Sequence, residues 1–466
     1  MIPVPGFEGR RVAVFGLGRS GLTAARALRA GGALPVLWDD SVSSRMQAEA
    51  EGFAVEDLTS ADWSGFAALV LSPGAPLTHP KPHWTVDKAK AAGVEIVGDI
   101  ELFARALAAL PKAERPKVVA ITGTNGKSTT TALIGWVLKQ AGLTVHVGGN
   151  IGIGVLALPA PTPDAVYVIE VSSYQLDLTT RFAPDVAILT NISPDHLDRH
   201  GGMEGYVAAK ARIFQVQDSG AVALIGVNEE WGRRLAAALE ANGRHPATVF
   251  TGGAQTDASQ ATLVASEGRL RTDNVDTDLS AARSLPGRHN AQNAAFAYAA
   301  ARALGVSHEA AAEGLLSFPG LAHRMEHVAT FGRVRFINDS KATNADAARQ
   351  ALSSYERSYW IVGGRAKAGG IDDLEDLFPR VAEAFLIGEA AGPFAARLGD
   401  VPHRISGDMA TAVRAAAEAA AATGRDEVVL LSPAAASFDQ YPDFEARGEA
   451  FRAAVLALGA TPAAAS

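Results

Sequence analysis

The chain has 466 residues, 42 Lys+Arg against 50 Asp+Glu for a formal charge of −8, and no cysteine. That length suggests about three domains at roughly 150 residues each, and 48% hydrophobic with 20% charged residues excludes disorder, collagen and a coiled coil as the main architecture. Without cysteine there are no disulfides, zinc ribbons or thiolate nucleophiles, and the acidic balance lacks the basic footprint of a nucleic-acid scaffold. Any polyanionic ligand must then be held by local groups. The opening residues MIPVPGFEGR show no signal-peptide layout, and no stretch reaches about 18 uninterrupted apolar residues. A cytoplasmic protein without nucleic-acid or membrane partners is expected.

Short apolar runs alternate with helical patterns along nearly the whole chain, the signature of βαβ units around parallel sheets. The first such system opens with a strand at 11–15, a helix over about 20–30 and a strand at 34–38. Gly16-Leu-Gly-Arg-Ser-Gly21 lies between strand and helix, and Asp39 follows about twenty residues on, the layout of a dinucleotide turn. An NAD or FAD site and a site for another diphosphate nucleotide both fit it. Ser72-Pro73-Gly74, after a strand at 66–71, is expected to face the same crevice. A proline-bracketed charged stretch at 108–117 reads as a linker.

The second system starts with a strand at 117–122 and continues with Gly123-Thr124-Asn125-Gly126-Lys127-Ser128-Thr129 and a helix over 127–141. Only two residues separate its glycines, against four in the usual phosphate-binding spacing. The physics is unchanged: backbone N–H groups cradle phosphates, Lys127 neutralises them and Ser128 reaches Mg²⁺. The apolar strand 165–170 ends in Glu170, where a phosphate-loop protein delivers an acid toward Mg²⁺; alone, this would read as a solvated strand-end charge. After a strand at 185–190, Asp195-His196-Leu-Asp-Arg-His200 places two histidines four apart. That spacing fits a zinc pair, a capped helix start with surface polar residues, or magnesium ligation by His196 in an oxygen-rich shell. A helix over 203–213, a looser antiparallel region at 250–285 and a helix over about 290–303 complete this part.

The third system begins near Phe318 and alternates strands at 333–338, 357–362, 383–387 and 427–431 with helices, one of them over 408–422; the tail ATPAAAS reads as a frayed end. Asn338-Asp-Ser-Lys-Ala-Thr-Asn344 and Ser432-Pro-Ala-Ala-Ala-Ser-Phe-Asp-Gln440 each follow a strand. Each alone could be a polar capped turn; together they suggest a second-substrate pocket at the carboxyl end of one sheet.

In this order the motifs resemble the Mur ligase family, through essentially the whole chain: GLGRSG, SPG at 72–74, GTNGKST at 123–129, GGNIG at 148–152, EVSSYQL at 170–176, DHLDRH at 195–200, YVAAKARIF at 206–214, GRHNAQN at 287–293, HRME at 323–326, NDSKATN at 338–344 and SPAAASFDQ at 432–440. The resemblance implies an α/β protein of three domains: a Rossmann-like N-terminal domain (1–111), a central P-loop ATPase-type domain with a mixed sheet (112–321) and a Rossmann-like C-terminal domain (322–466). It implies UDP binding, not a nicotinamide cofactor, by Gly18, Arg19, Asp39 and Ser72, Pro73 and Gly74, with Asn150 contacting the muramoyl part. Gly123 to Thr129 would hold ATP, joined by Asn290, Asn293, Arg324 and Asp339. Ser128, Glu170, His196 and a carbamylated Lys210 would hold two Mg²⁺ ions, with Mn²⁺ as a substitute, and Lys127, Glu170, His196 and Lys210 would form the catalytic set. Lys341, Thr343, Lys367, Ser437 and Phe444 would surround D-glutamate. The implied activity is ATP-driven addition of D-glutamate to UDP-N-acetylmuramoyl-L-alanine by a monomer. Two positions depart from the pattern: Ala435 or a neighbour stands where the family commonly has cysteine, and Ala366 where an acid is frequent near Lys367. Competing functions are a sister ligase adding another amino acid, an NAD-dependent oxidoreductase fused to a P-loop domain, and an ATP sensor without turnover.

Overall fold

The computed structural model describes residues 1–252, 261–266, 268–272, 274–282, 284–367 and 369–463. The chain forms two compact units, one of Met1–Ala281 with Asn290–Leu316 and one of Ala282–His289 with Ser317–Ser466. Among the described residues the first unit holds a five-stranded and a nine-stranded sheet, and the second a seven-stranded sheet.

In the five-stranded sheet the strands run in the spatial order Ala54–Val55, Leu34–Trp38, Arg11–Phe15, Phe66–Leu71, Glu95–Val97, all parallel. The order reverses between Arg11–Phe15 and Phe66–Leu71, so a crevice opens at their carboxyl ends, where doubly wound sheets bind ligands. Both predicted turns, 16–21 and 72–74, leave from these two strands.

In the nine-stranded sheet Lys117–Thr122 lies between Val186–Leu189 and Ala165–Glu170, parallel to both. Val118 to Ile121 are at most 4% exposed. A parallel strand covered by helices on both faces must be apolar throughout, which is why these strands read as unbroken hydrophobic runs. The looser region resolves into Leu263–Ser266, Arg269–Thr272 and Val275–Asp278, antiparallel as expected, with Leu263–Ser266 also parallel to Ala247–Thr251; residues 253–260 of that stretch lie outside the described residues. One hydrophobic cluster runs from Ile2 and Val4 through Phe103 to Tyr167 and Ile225 and is shared by both sheets of this unit, while Phe15, Leu69 and Leu71 belong to a separate cluster on the other face of the five-stranded sheet.

In the second unit Glu427–Leu431 lies between Ser358–Gly363 and Val334–Asn338, parallel to both. Glu326–Phe331 adds an antiparallel strand that the sequence did not suggest. The tail is not frayed at its start: Thr461–Pro462 pairs with Glu326–Phe331, and the Ala463 amide donates to Val328 O. Backbone pairing outweighs the weak strand propensity of this Ala- and Pro-rich segment.

Candidate active site

The glycine loop joins Lys117–Thr122 to the helix Lys127–Gln140, and two of its glycines are required by contact. Gly123 has φ 144° and Gly126 φ 78°; a Cβ would come within 1.9 Å of Thr190 Oγ1 at the first and 2.5 Å of Asn293 Oδ1 at the second. The loop is held from the next strand over. Thr124 N donates to Asn191 O and Asn125 N to Asn191 Oδ1, both at 2.9 Å, and Thr190 Oγ1 donates to Asn125 O at 2.7 Å. Thr130 Oγ1 donates to Asn293 Oδ1 at 3.0 Å, and Asn293 Nδ2 to Asn290 Oδ1 at 3.0 Å. Asn290 and Asn293 are therefore buried against the loop and its helix. Ser128 is buried and Thr129 half-buried in the first helical turn.

Two lysines converge on one carbonyl. Lys127 Nζ donates to Gly123 O at 2.9 Å and Thr124 O at 2.7 Å, while Lys210 Nζ donates to the same Gly123 O at 2.7 Å. Lys210 is 2% exposed, with its Nζ 4.7 Å from the Tyr206 ring centroid. Burial, and secondly the Lys127 charge, push its pKa well below the usual lysine value, against weaker pulls from Asp195 and Glu170. The Tyr206 hydroxyl is fixed by Thr124 Oγ1 at 3.1 Å.

Glu170 ends its strand 2% exposed. Its Oε1 accepts from Asn150 Nδ2 at 2.8 Å, and its buried Oε2 has no hydrogen-bond partner among the described residues. An unsatisfied buried carboxylate oxygen is costly, and a cation beside it would remove that cost. Among the described residues no group of three or more His, Asp or Glu side chains is arranged to hold a metal ion by itself; the donors here are mixed, as suits a hard cation that keeps phosphate and water ligands. His196, exposed and in the left-handed region at φ 52°, lies 3.3 Å from Asp195 Oδ2 and 4.9 Å from the Tyr174 ring centroid. His200 is unsuited to a zinc pair with it, because its Nε2 meets Ser173 Oγ at 3.0 Å and its Nδ1 meets Asp177 Oδ2 at 3.1 Å.

The crevice of the five-stranded sheet adjoins this cluster. Arg19, first residue of its helix after Gly18, donates to Gly152 O at 2.7 Å and Asn150 O at 3.4 Å. One residue, Asn150, thus touches both Arg19 and Glu170. A Cβ on Gly16 would come within 2.4 Å of Ser72 Cβ, which fixes how closely the two turns approach. Asp39 accepts from Leu17 N at 2.6 Å and Ser41 N at 2.8 Å, and Pro73 and Gly74 carbonyls accept from Arg199.

The second unit gathers its own cluster at the carboxyl ends of Val334–Asn338 and Glu427–Leu431. Asp339 N donates to Leu431 O at 2.8 Å, and Ser432 Oγ to Asp339 Oδ2 at 3.0 Å. Lys341 Nζ sits 3.8 Å from the Phe444 ring centroid, and Thr343 N donates to Lys341 O at 2.8 Å. Ser437 is buried; its carbonyl accepts from Tyr441 N at 2.8 Å. Lys367 is exposed, two residues past the bridge between Arg365 and Ala436. Sequence reasoning missed Arg447, 1% exposed, which donates to Ser340 O at 2.8 Å and Ala435 O at 3.0 Å and so joins the two loops. Its only sequence signal is its place one helical turn after Phe444.

Burial pushes the Asp339 carboxyl up to about 7, partly opposed by the Ser432 hydroxyl and the Arg324 charge. Between about pH 4 and 7 the unfolded chain has lost this proton and the folded chain keeps it, so stability falls as pH rises through the window, by up to about 1.4 kcal/mol per pH unit, and levels off above it. Asp339→Asn removes the term. Urea unfolding at pH 5 and pH 7.5 is expected to show a smaller loss for the variant than for the wild type; equal losses would contradict this protonation.

Comparison with known proteins gives the family. Residues 121–301 match the Mur ligase middle domain, and 323–435 the Mur ligase, glutamate ligase domain. The chain is 62% identical to UDP-N-acetylmuramoylalanine--D-glutamate ligase of Caulobacter sp. (strain K31), over 98% of each chain, and 60% identical to the protein of that name in Phenylobacterium zucineum (strain HLK1), also over 98% of each. In fold it is similar to UDP-N-acetylmuramate-alanine ligase from Thermotoga maritima, with TM-score 0.59 at 18% identity over 96% of this chain and 99% of that one. It is likewise similar to a pseudomurein peptide ligase type C from Methanothermus fervidus, with TM-score 0.55 at 19% identity over 97% and 100%. Full-length identity at this level, with both family domains matched, shows that the chain belongs to the Mur ligase family.

Proposed function

We propose that the chain is an ATP-dependent ligase that joins D-glutamate to the L-alanyl carboxylate of UDP-N-acetylmuramoyl-L-alanine, in peptidoglycan precursor synthesis. The observation that carries this reading is the run Arg19–Asn150–Glu170, which brings a diphosphate-type crevice up to the carboxylate beside the glycine loop. A nucleotide held at Gly18, Arg19, Asp39 and the Ser72-Pro73-Gly74 turn would extend past Asn150 toward the phosphates of ATP. The high identity to ligases that carry this activity in their name supports the substrate choice.

In the reaction a carboxylate oxygen of the L-alanyl group bonds to the γ-phosphorus of ATP, the bond to the bridging oxygen breaks, and ADP leaves. The amine nitrogen of D-glutamate then attacks the acyl phosphate carbonyl, loses a proton and expels phosphate. Lys127 supplies positive charge at the loop, and the backbone amides of residues 123–129 orient the phosphates. Asn290 and Asn293 back the loop, and Arg324 and Asp339 complete nucleotide binding. Mg²⁺, two ions with Mn²⁺ as a substitute, would be held by Ser128, Glu170, His196 and Lys210 as its carbamate, and supplies charge neutralisation between two anionic reactants. Lys341, Thr343, Lys367, Ser437 and Phe444 would receive D-glutamate. Asparagine and lysine contacts of this kind position reactants, and positioning can account for much of the barrier lowering.

Domain limits at 1–111, 112–321 and 322–466, a monomeric state, a cytoplasmic location and the lack of nucleic-acid or membrane partners belong to the same proposal. No helix among the described residues is long and apolar enough to cross a membrane. The reading is tested by radiolabelled D-glutamate, which should enter a nucleotide-sugar product only when ATP, Mg²⁺ and UDP-N-acetylmuramoyl-L-alanine are all present. Incorporation independent of ATP would refute it.

A further inference from the structure

Arg199 and His200 have no part in the reaction just described, yet both are tightly placed. The Arg199 guanidinium donates to Gly74 O at 3.0 Å and to Pro73 O at 3.3 Å, closing over the carbonyls of the turn that follows Phe66–Leu71. The same guanidinium lies 4.5 Å from the centroid of the Tyr174 ring. Tyr174 also carries His196 at 4.9 Å and, nearly parallel at 20°, His200 at 5.5 Å. His200 is anchored by Ser173 and Asp177 in the segment that follows Glu170. One stack therefore runs from the turn of the five-stranded sheet, through Arg199 and Tyr174, to the residues flanking Glu170 and to His196. Arg199 Nε is buried without a hydrogen-bond partner among the described residues, a cost to stability, so packing alone does not explain its place.

We propose that Arg199 is a positioning residue that couples occupancy of the nucleotide-sugar crevice to the ATP site. The inference rests on the reading of those two sites given above. A ligand that orders the Ser72-Pro73-Gly74 turn fixes the two carbonyls that Arg199 grips. Its planar fork then holds the Tyr174 ring, and with it the loop carrying His196. Lysine cannot reproduce this, since it offers a point charge where Arg199 offers two spaced donors and a flat face. Coupling of this kind is reciprocal: whichever ligand binds first should tighten the other by the same factor.

The test is calorimetric binding to the full chain, with no turnover required. UDP-N-acetylmuramoyl-L-alanine is titrated with and without saturating Mg²⁺ and a non-hydrolysable ATP analogue, and the analogue is titrated alone. In the wild type the nucleotide sugar should bind about 5-fold or more tighter when the analogue is present, the lower end of usual couplings. In Arg199→Gln and Arg199→Lys the analogue alone should bind within about twofold of wild type, while the coupling falls below about twofold. Tyr174→Leu should lose coupling in the same way and Tyr174→Phe should keep it, which carries the test if an Arg199 variant fails to fold. Undiminished coupling in folded Arg199 variants overturns the proposal. So does equal weakening of the analogue alone, which would place Arg199 in the ATP site itself, and so does a wild type that binds both ligands independently. A wild type that binds neither ligand overturns the assignment of the sites, and the inference with it.

Discussion

Lys127→Ala is expected to lower phosphate release about 10²–10³-fold, the usual effect of removing one preorganised charge partner from a transition state. Lys127 opens the helix after the glycine loop, and its ammonium already sits at the loop's lip, against the carbonyls of Gly123 and Thr124. In the proposed reaction it would face phosphate charge as it moves from the γ-phosphoryl group to the leaving ADP. A thermal unfolding midpoint near the wild type's is the check that the variant remains folded. If the lysine acts mainly in the transition state, kcat should fall with little change in KM for ATP. Near-normal turnover by a folded variant would remove Lys127 from the reaction.

Lys210→Ala should be equally damaging, and its activity should return in part with added short carboxylic acids such as acetate. The argument starts from burial. A lysine ammonium 2% exposed, sharing the Gly123 carbonyl with a second lysine, is poorly solvated and repelled by its neighbour. Both effects favour the neutral amine. That amine can bond through nitrogen to the carbon of CO₂ and release a proton, giving a carbamate with one negative charge. Repulsion from Lys127 then becomes attraction. A small carboxylate diffusing into the cavity left by alanine can replace the carbamate oxygens. Loss of activity without rescue by any such acid, at concentrations that leave the wild type unaffected, would contradict the carbamate.

Much of this arrangement was legible in the sequence for definite reasons. Buried parallel strands leave apolar runs such as Val118 to Ile121, and glycines forced by contact, Gly16, Gly123 and Gly126, mark the turns between strand and helix. Glu170 stood out because its apolar strand belongs to a chain with a phosphate-type glycine loop; alone it would read as a solvated strand-end charge. The remainder depended on which residues meet in space. Lys210 looks like any lysine on a helix until its burial is known, and only the family resemblance singled it out. Asn150 was expected at the muramoyl group, and its bond to Glu170 came from the pairing of neighbouring strands. The stack of Arg199, Tyr174 and His200 joins two separate stretches of chain, and Arg199 ties it to a third, the turn at 72–74, so no local pattern encodes it. Thr461–Pro462 escaped notice because a two-residue edge strand is set by its partner rather than by its own side chains.

The most direct measurement of the central claim is phosphate release by the purified chain with ATP, Mg²⁺ and UDP-N-acetylmuramoyl-L-alanine, comparing D-glutamate with L-glutamate, L-alanine and no amino acid. Sustained release with D-glutamate alone is the predicted result. Release with L-alanine or L-glutamate in its place, or silence with every acceptor while both nucleotides bind, would contradict it.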